Sequence, residues 1–202
     1  MKAEKARCAR CGNRECTGGK DCFGVAGKHR EFYGEERIGA LHRAATAIEG
    51  RHYCEEPRIS EIILFAREMG YRKLGLAFCI GTIAEAKVVE EILSQHFEVV
   101  SVCCKVGGIE KEEFGLERIG RGRETESICN PAGQAEIMNR AGTELNVICG
   151  LCVGHDSVFT ECSDAPVTTF ITKDRVLAHN PAGAIYCQYI RRRFLEQKAG
   201  ND

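Results

Sequence analysis

Thirteen cysteines in 202 residues constrain this chain more than any other feature. The number is odd, so complete internal disulfide pairing is impossible, and closely spaced thiols in a reducing compartment more often bind metal or do redox chemistry. The opening MKAEKARCARCGN lacks the apolar run of a secretory signal, and no stretch of roughly 18 consecutive apolar residues suggests a spanning helix. The expectation is a cytoplasmic protein with no membrane partner.

The densest group is Cys8-x2-Cys11-x4-Cys16-x5-Cys22, with Gly12, Gly18 and Gly19 available for the tight turns that let four thiols converge. Four soft donors suit tetrahedral zinc or an iron–sulfur cluster. The spacing departs from the repeated two-residue gaps of bacterial ferredoxins, and short glycine-rich sites of this kind favour structural zinc. The plain alternative is four free thiols in a disordered tail. His29 and Cys54, nearby in sequence, read as ordinary surface or packed residues.

Composition asks little more of the metal. An apolar fraction of 44% permits a real core, and 28 basic against 29 acidic residues create no field that would draw nucleic acid. Residues 1–30 show no hydrophobic period and read as a four-cysteine metal-binding module. Residues 31–70 form a helical lead-in, with Leu41, Ala45 and Ile48 on one helical face and Ile59, Ile62, Ile63 and Ala66 on another. Residues 71–198 form an α/β domain. Its apolar runs at 74–80, 99–106, 145–149 and 167–172 read as buried strands alternating with helices. The expected fold is therefore a mostly parallel sheet of about four to five strands, with helices on both faces.

Local signals place several helices. Thr82 and Glu85 have capping-box spacing, ahead of an expected apolar stripe at Ala84, Val88 and Ile92. Asn130-Pro131 and Asn180-Pro181 each read as an N-cap followed by proline at the first helical position. The last helix should lay Ala182, Ile185, Tyr186, Tyr189, Ile190 and Phe194 on the sheet. Arg191, Arg192 and Arg193 near its end read as dipole complements, with no nucleic-acid role.

A second cysteine group follows from the strands. Cys79 closes the first, Cys104 lies late in the second, and Cys149 closes the third, so thiols should gather at the carboxyl edge where open parallel sheets bind ligands. Cys129 and His179 each precede an Asn-Pro-Ala-Gly phrase, and a helix N-terminus there would favour thiolate and neutral imidazole. Cys152 and His155 stand i, i+3 and would share a helical face, with Asp156 as either a partner of the histidine or an N-terminal acid. The candidate second site is thus Cys79, Cys104, Cys129, Cys149, Cys152, His155 and His179, holding an iron–sulfur cluster or zinc. Cys103 and Cys187 read as packed core residues, and Cys162 has no evident role.

The phrases Cys149-Gly-Leu-Cys-Val-Gly-His-Asp, Ser163-Asp-Ala-Pro-Val-Thr-Thr and Lys173-Asp-Arg-Val-Leu-Ala-His-Asn-Pro give a resemblance over nearly the whole chain. The sequence resembles an uncharacterised cysteine-rich family of bacteria and archaea described as metal-binding. The resemblance implies metal binding.

Three functions compete. The first is a metalloprotein with a structural four-cysteine site and a redox or catalytic site at the sheet edge, working with a redox partner protein. The second is a thiol-disulfide oxidoreductase using Cys149-x-x-Cys152. The third is a non-enzymatic metal sensor, carrier or interaction protein. Nucleotide binding lacks both glycine-rich phosphate fingerprints. Composition and spacing leave oligomeric state open.

Overall fold

The runs rich in Val, Ile and Leu form the strands of the protein in a computed structural model that describes residues 6–119, 122 and 124–196. Strands β1 (Lys73–Phe78), β2 (Glu98–Cys103), β3 (Leu145–Cys149) and β4 (Val167–Ile171) make one sheet in the order β2-β1-β3-β4, with every pairing parallel. Phe78 is in register with both Cys103 and Cys149, so the carboxyl ends of β2, β1 and β3 finish level. Chain order reverses between β1 and β3, which is where such sheets open a crevice for ligands.

The helices are α1 (Ala26–Phe32), α2 (Glu36–Arg51), α3 (Arg58–Glu68), α4 (Ile83–Ser94), α5 (Pro131–Ala141), α6 (His155–Cys162), α7 (Gly183–Tyr186) and α8 (Gln188–Glu196). The chain divides into two compact units, Met1–Glu56 and Pro57–Asp202. The first contains the N-terminal cysteines, α1 and α2. In it the Tyr33 and His42 rings stack with centroids 4.3 Å apart, and the close packing of Gly39 on the Tyr33 carbonyl leaves no room for a Cβ.

The second unit holds the sheet, covered on both faces. On one, Leu74, Leu76, Leu145, Val147 and Cys149 pack with Ile62 and Ala66 of α3 and with Ala86, Val89 and Leu93 of α4. On the other, Ala77, Cys79, Val102, Cys104 and Ile148 pack with Ala135 and Met138 of α5 and Phe159 of α6. Burial of the Leu, Val, Ile, Met and Phe side chains among them, each stabilising by about 1.5–3 kcal/mol, explains why the strands read as continuous apolar runs. Along the open side of β4, Arg58 donates from Nε to the Thr169 carbonyl at 2.7 Å and from Nη2 to Thr168 Oγ1 at 3.1 Å.

Helix α5 starts as its sequence indicates. Asn130 Oδ1 accepts from the Gly133 N–H at 2.9 Å, Pro131 takes the first helical position, and Gly142 ends the helix at φ 67°. Helix α4 differs in phase from its expected stripe: Ala86, Val89 and Leu93 are buried, whereas Val88 is 54% exposed. A tight turn over Ile80–Thr82 sets that phase. The Thr82–Glu85 capping box does not form, because the Thr82 hydroxyl turns inward to the Cys79 and Cys149 carbonyls, 2.9 Å from each.

The C-terminal segment also departs from expectation. Asn180-Pro181 does not open a long helix; α7 is four residues, and a break at Cys187 separates it from α8. Asp174 Oδ1 accepts from the Val176 and Leu177 N–H groups, and Ala178 and His179 adopt left-handed backbone. That turn redirects the chain, so the apolar stripe does not lie on the sheet: Ile185, Tyr186, Tyr189 and Phe194 are all exposed. Cys187, read as a core residue, is exposed as well. Among the described residues no helix is long and apolar enough to cross a membrane.

Candidate functional site

Backbone hydrogen bonds continue past the strand ends and set the cysteines side by side. The Cys79 N–H donates to the Cys149 carbonyl at 3.3 Å, the Cys104 N–H to Phe78 at 2.8 Å, and the Asn130 N–H to Cys104 at 2.8 Å. Gln134 of α5, fully buried, donates from Nε2 to the Phe78 and Val102 carbonyls and clamps the ends of β1 and β2 together. Three segments distant in sequence thereby present Cys79, Cys104 and Cys129 to one another.

Their side chains cluster with Cys104 between the other two, and the Cys104 sulfur accepts from the Ile80 N–H at 3.4 Å. Cys104, 2% exposed, keeps its proton: contact with Cys129 and Cys79 and then burial push its pKa far up. Cys79 moves the other way, held well below the ordinary thiol range by the Cys104 hydrogen bond, the Gly81 backbone N–H and the charge of Lys173. Cys129 is likewise lowered, by Cys104 first and then by the charges of Lys105 and His155. Two thiols with lowered pKa thus flank one whose pKa is raised, with basic side chains around them.

Cys152, half-buried, packs on the same face. Arg175 Nη2 donates to its sulfur at 3.0 Å, and the arginine also feels the charges of Cys79 and Cys129. Lys105 Nζ is tied to the Ser127 carbonyl at 2.6 Å. The edge thus carries Cys79 from the β1–α4 connection, Cys104 and Cys129 from the two ends of the β2–α5 connection, and Cys152 from the β3–α6 connection, with Lys105, Lys173, Arg175 and His155 around them.

Cys149 goes elsewhere. Strand alternation sends it to the opposite face with Leu145 and Val147, where it is fully buried. Burial, with a smaller contribution from Glu85, pushes its pKa up to about 11. Cys149 and Cys152 therefore belong to different faces of the sheet. The Thr82 hydroxyl links the loops after β1 and β3, and it packs so closely on Gly150, at φ 73°, that a Cβ there would stand 2.6 Å from Thr82 Cγ2.

The two histidines sit in different settings. His155 is the first residue of α6, and Cys152 lies before the helix in the turn whose carbonyl accepts the His155 N–H. His179 sits in the Asp174–His179 turn, where its Nδ1 accepts from the Asp174 N–H at 3.2 Å. Asp156 is an N-terminal acid of α6, accepting from the Gly154 and Ser157 N–H groups.

In the first unit, Cys8, Cys11, Cys16 and Cys22 lie on consecutive short turns and are all exposed. Backbone N–H groups of Arg14 and Asn13 point to Cys11 and lower its pKa. Asp21 accepts four backbone N–H bonds from Phe23, Gly24, Val25 and Ala26 and so organises the entry to α1. Among the described residues, no group of three or more His, Cys, Asp or Glu side chains is arranged to hold a metal ion. Lys173 and Arg175 are site residues that the sequence reading does not single out. The reasoning that selects the strand-end cysteines would find them, since both follow β4 directly.

Fold and edge together define a class: a parallel α/β protein whose carboxyl edge is lined by thiols and balanced by basic side chains. The chain belongs to the family described as Protein of unknown function (DUF1847), whose model matches residues 21–170. It is also similar to the uncharacterized protein MJ0455 of Methanocaldococcus jannaschii, with 50% identity over 193 residues that cover 95% of this chain and 100% of the relative.

Proposed function

We propose that this is a cysteine-ligated metal protein whose working site is the carboxyl edge of the sheet. Cys79, Cys104, Cys129 and Cys152 would hold an iron–sulfur cluster or zinc, and Cys8, Cys11, Cys16 and Cys22 a structural zinc or cluster. The observation that carries the reading is the meeting of Cys79, Cys104 and Cys129 in one cluster at the level carboxyl ends of β1 and β2, where soft donors from separate segments gather with Cys152. A cluster would supply one-electron redox chemistry, and zinc would supply Lewis acidity.

The chain's own residues have defined parts in loading. Cys104 must release its proton, so affinity falls as pH is lowered. Arg175 must loosen its hold on Cys152 for that sulfur to become a donor. Lys105, Lys173 and Arg175 offset the negative charge of the assembled thiolates. In the redox form of this reading a partner protein docks at the edge, where Val153 and Val176, next to Cys152 and Arg175, are exposed.

The test is metal and acid-labile sulfide content of protein purified without oxygen. Iron with matching sulfide, lost in Cys104→Ala and Cys129→Ala but kept in Cys149→Ala, is the expected result. Full metal content in Cys104→Ala would refute this assignment of the second site.

A further inference from the structure

The turn after β4 and helix α8 enclose a cleft of about 300 Å³, a volume at the small end of the range for small-molecule sites. Its walls follow from the break at Cys187, which gives α8 a course of its own. Within α8, Ile190, Arg193 and Phe194 stand three and four residues apart and share one helical face, which lines the cleft opposite Val176 and Leu177. The turn is closed by its own backbone. The His179 N–H donates to the Asp174 carbonyl at 2.8 Å, the Asn180 N–H to Leu177 at 2.9 Å and the Gly183 N–H to Asn180 at 3.0 Å. Leu177 packs over Gly183, its Cδ1 3.7 Å from where a Cβ would stand. The cleft is thus built before any ligand arrives.

Its lining has the mixture that small-molecule sites use: apolar walls and few charges. Val176 and Phe194 are 88% and 65% exposed, so a body laid between them would remove a large apolar surface from water. The two charged side chains of the lining differ in their engagement. Asp174 Oδ1 accepts from the Val176 and Leu177 N–H groups at 2.9 and 2.8 Å, which ties it to its own turn. Arg193 has no hydrogen bond or ion pair among the described residues. A guanidinium offers a planar fork that matches a carboxylate, and the Asp174 charge in the same cleft disfavours a dianion such as phosphate.

We propose that this cleft binds a small apolar carboxylic acid, with its carboxylate on Arg193 and its body between Val176, Leu177, Ile190 and Phe194. Arg175 lies between two lining residues in the chain and donates to Cys152 at 3.0 Å, so the bound acid rests on the loop that reaches the thiol edge. None of the proposed metal ligands lines the cleft, and the site stands or falls apart from the metal.

Equilibrium dialysis of the full chain at constant ionic strength, against 2-naphthoate and its neutral counterpart 2-naphthamide, tests this. One saturable naphthoate site per chain is expected, about fivefold tighter than the amide. Arg193→Gln should remove that preference and leave amide binding unchanged. Ala184→Phe, which fills the cleft from α7, should abolish saturable binding of both probes, and Phe194→Ala, at an exposed position, should weaken both alike. No saturable naphthoate binding by the parent, equal affinity for acid and amide, or undiminished binding by both cleft variants overturns the proposal. Light scattering on the same samples covers the other occupant: a parent dimer that Ala184→Phe turns into a monomer, with no naphthoate bound, assigns the cleft to a second copy of the chain and overturns the proposal as well.

Discussion

The two cysteine groups contrast in how they are built. Cys8, Cys11, Cys16 and Cys22 lie within fifteen residues, all exposed, on turns that bury no side chain. Cys79, Cys104, Cys129 and Cys152 span more than seventy residues, yet a sheet, a clamp of backbone hydrogen bonds and two packed helices hold them together. The first group is organised by sequence proximity and has no core of its own to fall back on. The second is organised by a sheet with a buried apolar core on each face. On the proposed metal reading, metal is a folding partner for the first group and a guest for the second.

The largest effect that could break this contrast is chelation. Stripping metal under reducing conditions should bring amide exchange across residues 8–24 to unprotected rates while β1 and β3 keep their protection, as followed by hydrogen exchange with mass spectrometry. Equal loss in both regions would break the contrast, and no loss in either would remove metal from the first group's fold.

Next in size is pH, measured by urea unfolding of metal-free, reduced protein. Cys149 has a folded pKa raised to about 11, so the stability it contributes is complete below the unfolded thiol value of about 8.5 and is lost as pH rises toward 11, on the order of 3 kcal/mol. Cys149→Ala should abolish that alkaline loss. Cys79 and Cys129 are shifted down and act in the opposite sense: their contribution is present above about pH 8.5 and declines as pH falls toward their folded values. Combined Cys79→Ser and Cys129→Ser substitution should flatten the acid limb.

A smaller change sharpens the same comparison within the sheet edge. Thr82→Val keeps the shape and removes the hydroxyl bridging the Cys79 and Cys149 carbonyls, and should cost about 1–3 kcal/mol in denaturant unfolding. The smallest effect belongs to the surface pair Arg140 and Glu136 on α5, where Arg140→Ala should change stability by less than about 0.5 kcal/mol.

Much of the architecture is readable because burial on both faces of a parallel sheet leaves uninterrupted apolar runs. All four strands lie within or beside the stretches their Val, Ile and Leu residues mark, and Asn130-Pro131 does start α5. Phase is harder to read. Apolar residues occur all round α4, so the choice between Val88 and Val89 as the inner residue depends on the turn before it. The second Asn-Pro fails as a start signal because a tight turn at Asp174–His179 precedes it. Strand-end logic locates Cys79 and Cys104, but the one-residue alternation that removes Cys149 to the other face shows only once register is known. Lys173 and Arg175 escape a reading that follows sulfur and leaves out its counter-charges.

The Arg58 side chain has a consequence of another kind. A short outer strand with unsatisfied carbonyls is a template on which a second chain can lengthen the sheet, and proteins rich in reactive thiols are poorly served by such sticking. By occupying Thr169 and Thr168 on β4, the guanidinium places a bulky, hydrated cation across that template. One arginine at the start of α3 thus takes up a carbonyl and a hydroxyl on the outer strand that a neighbouring chain would otherwise need for pairing.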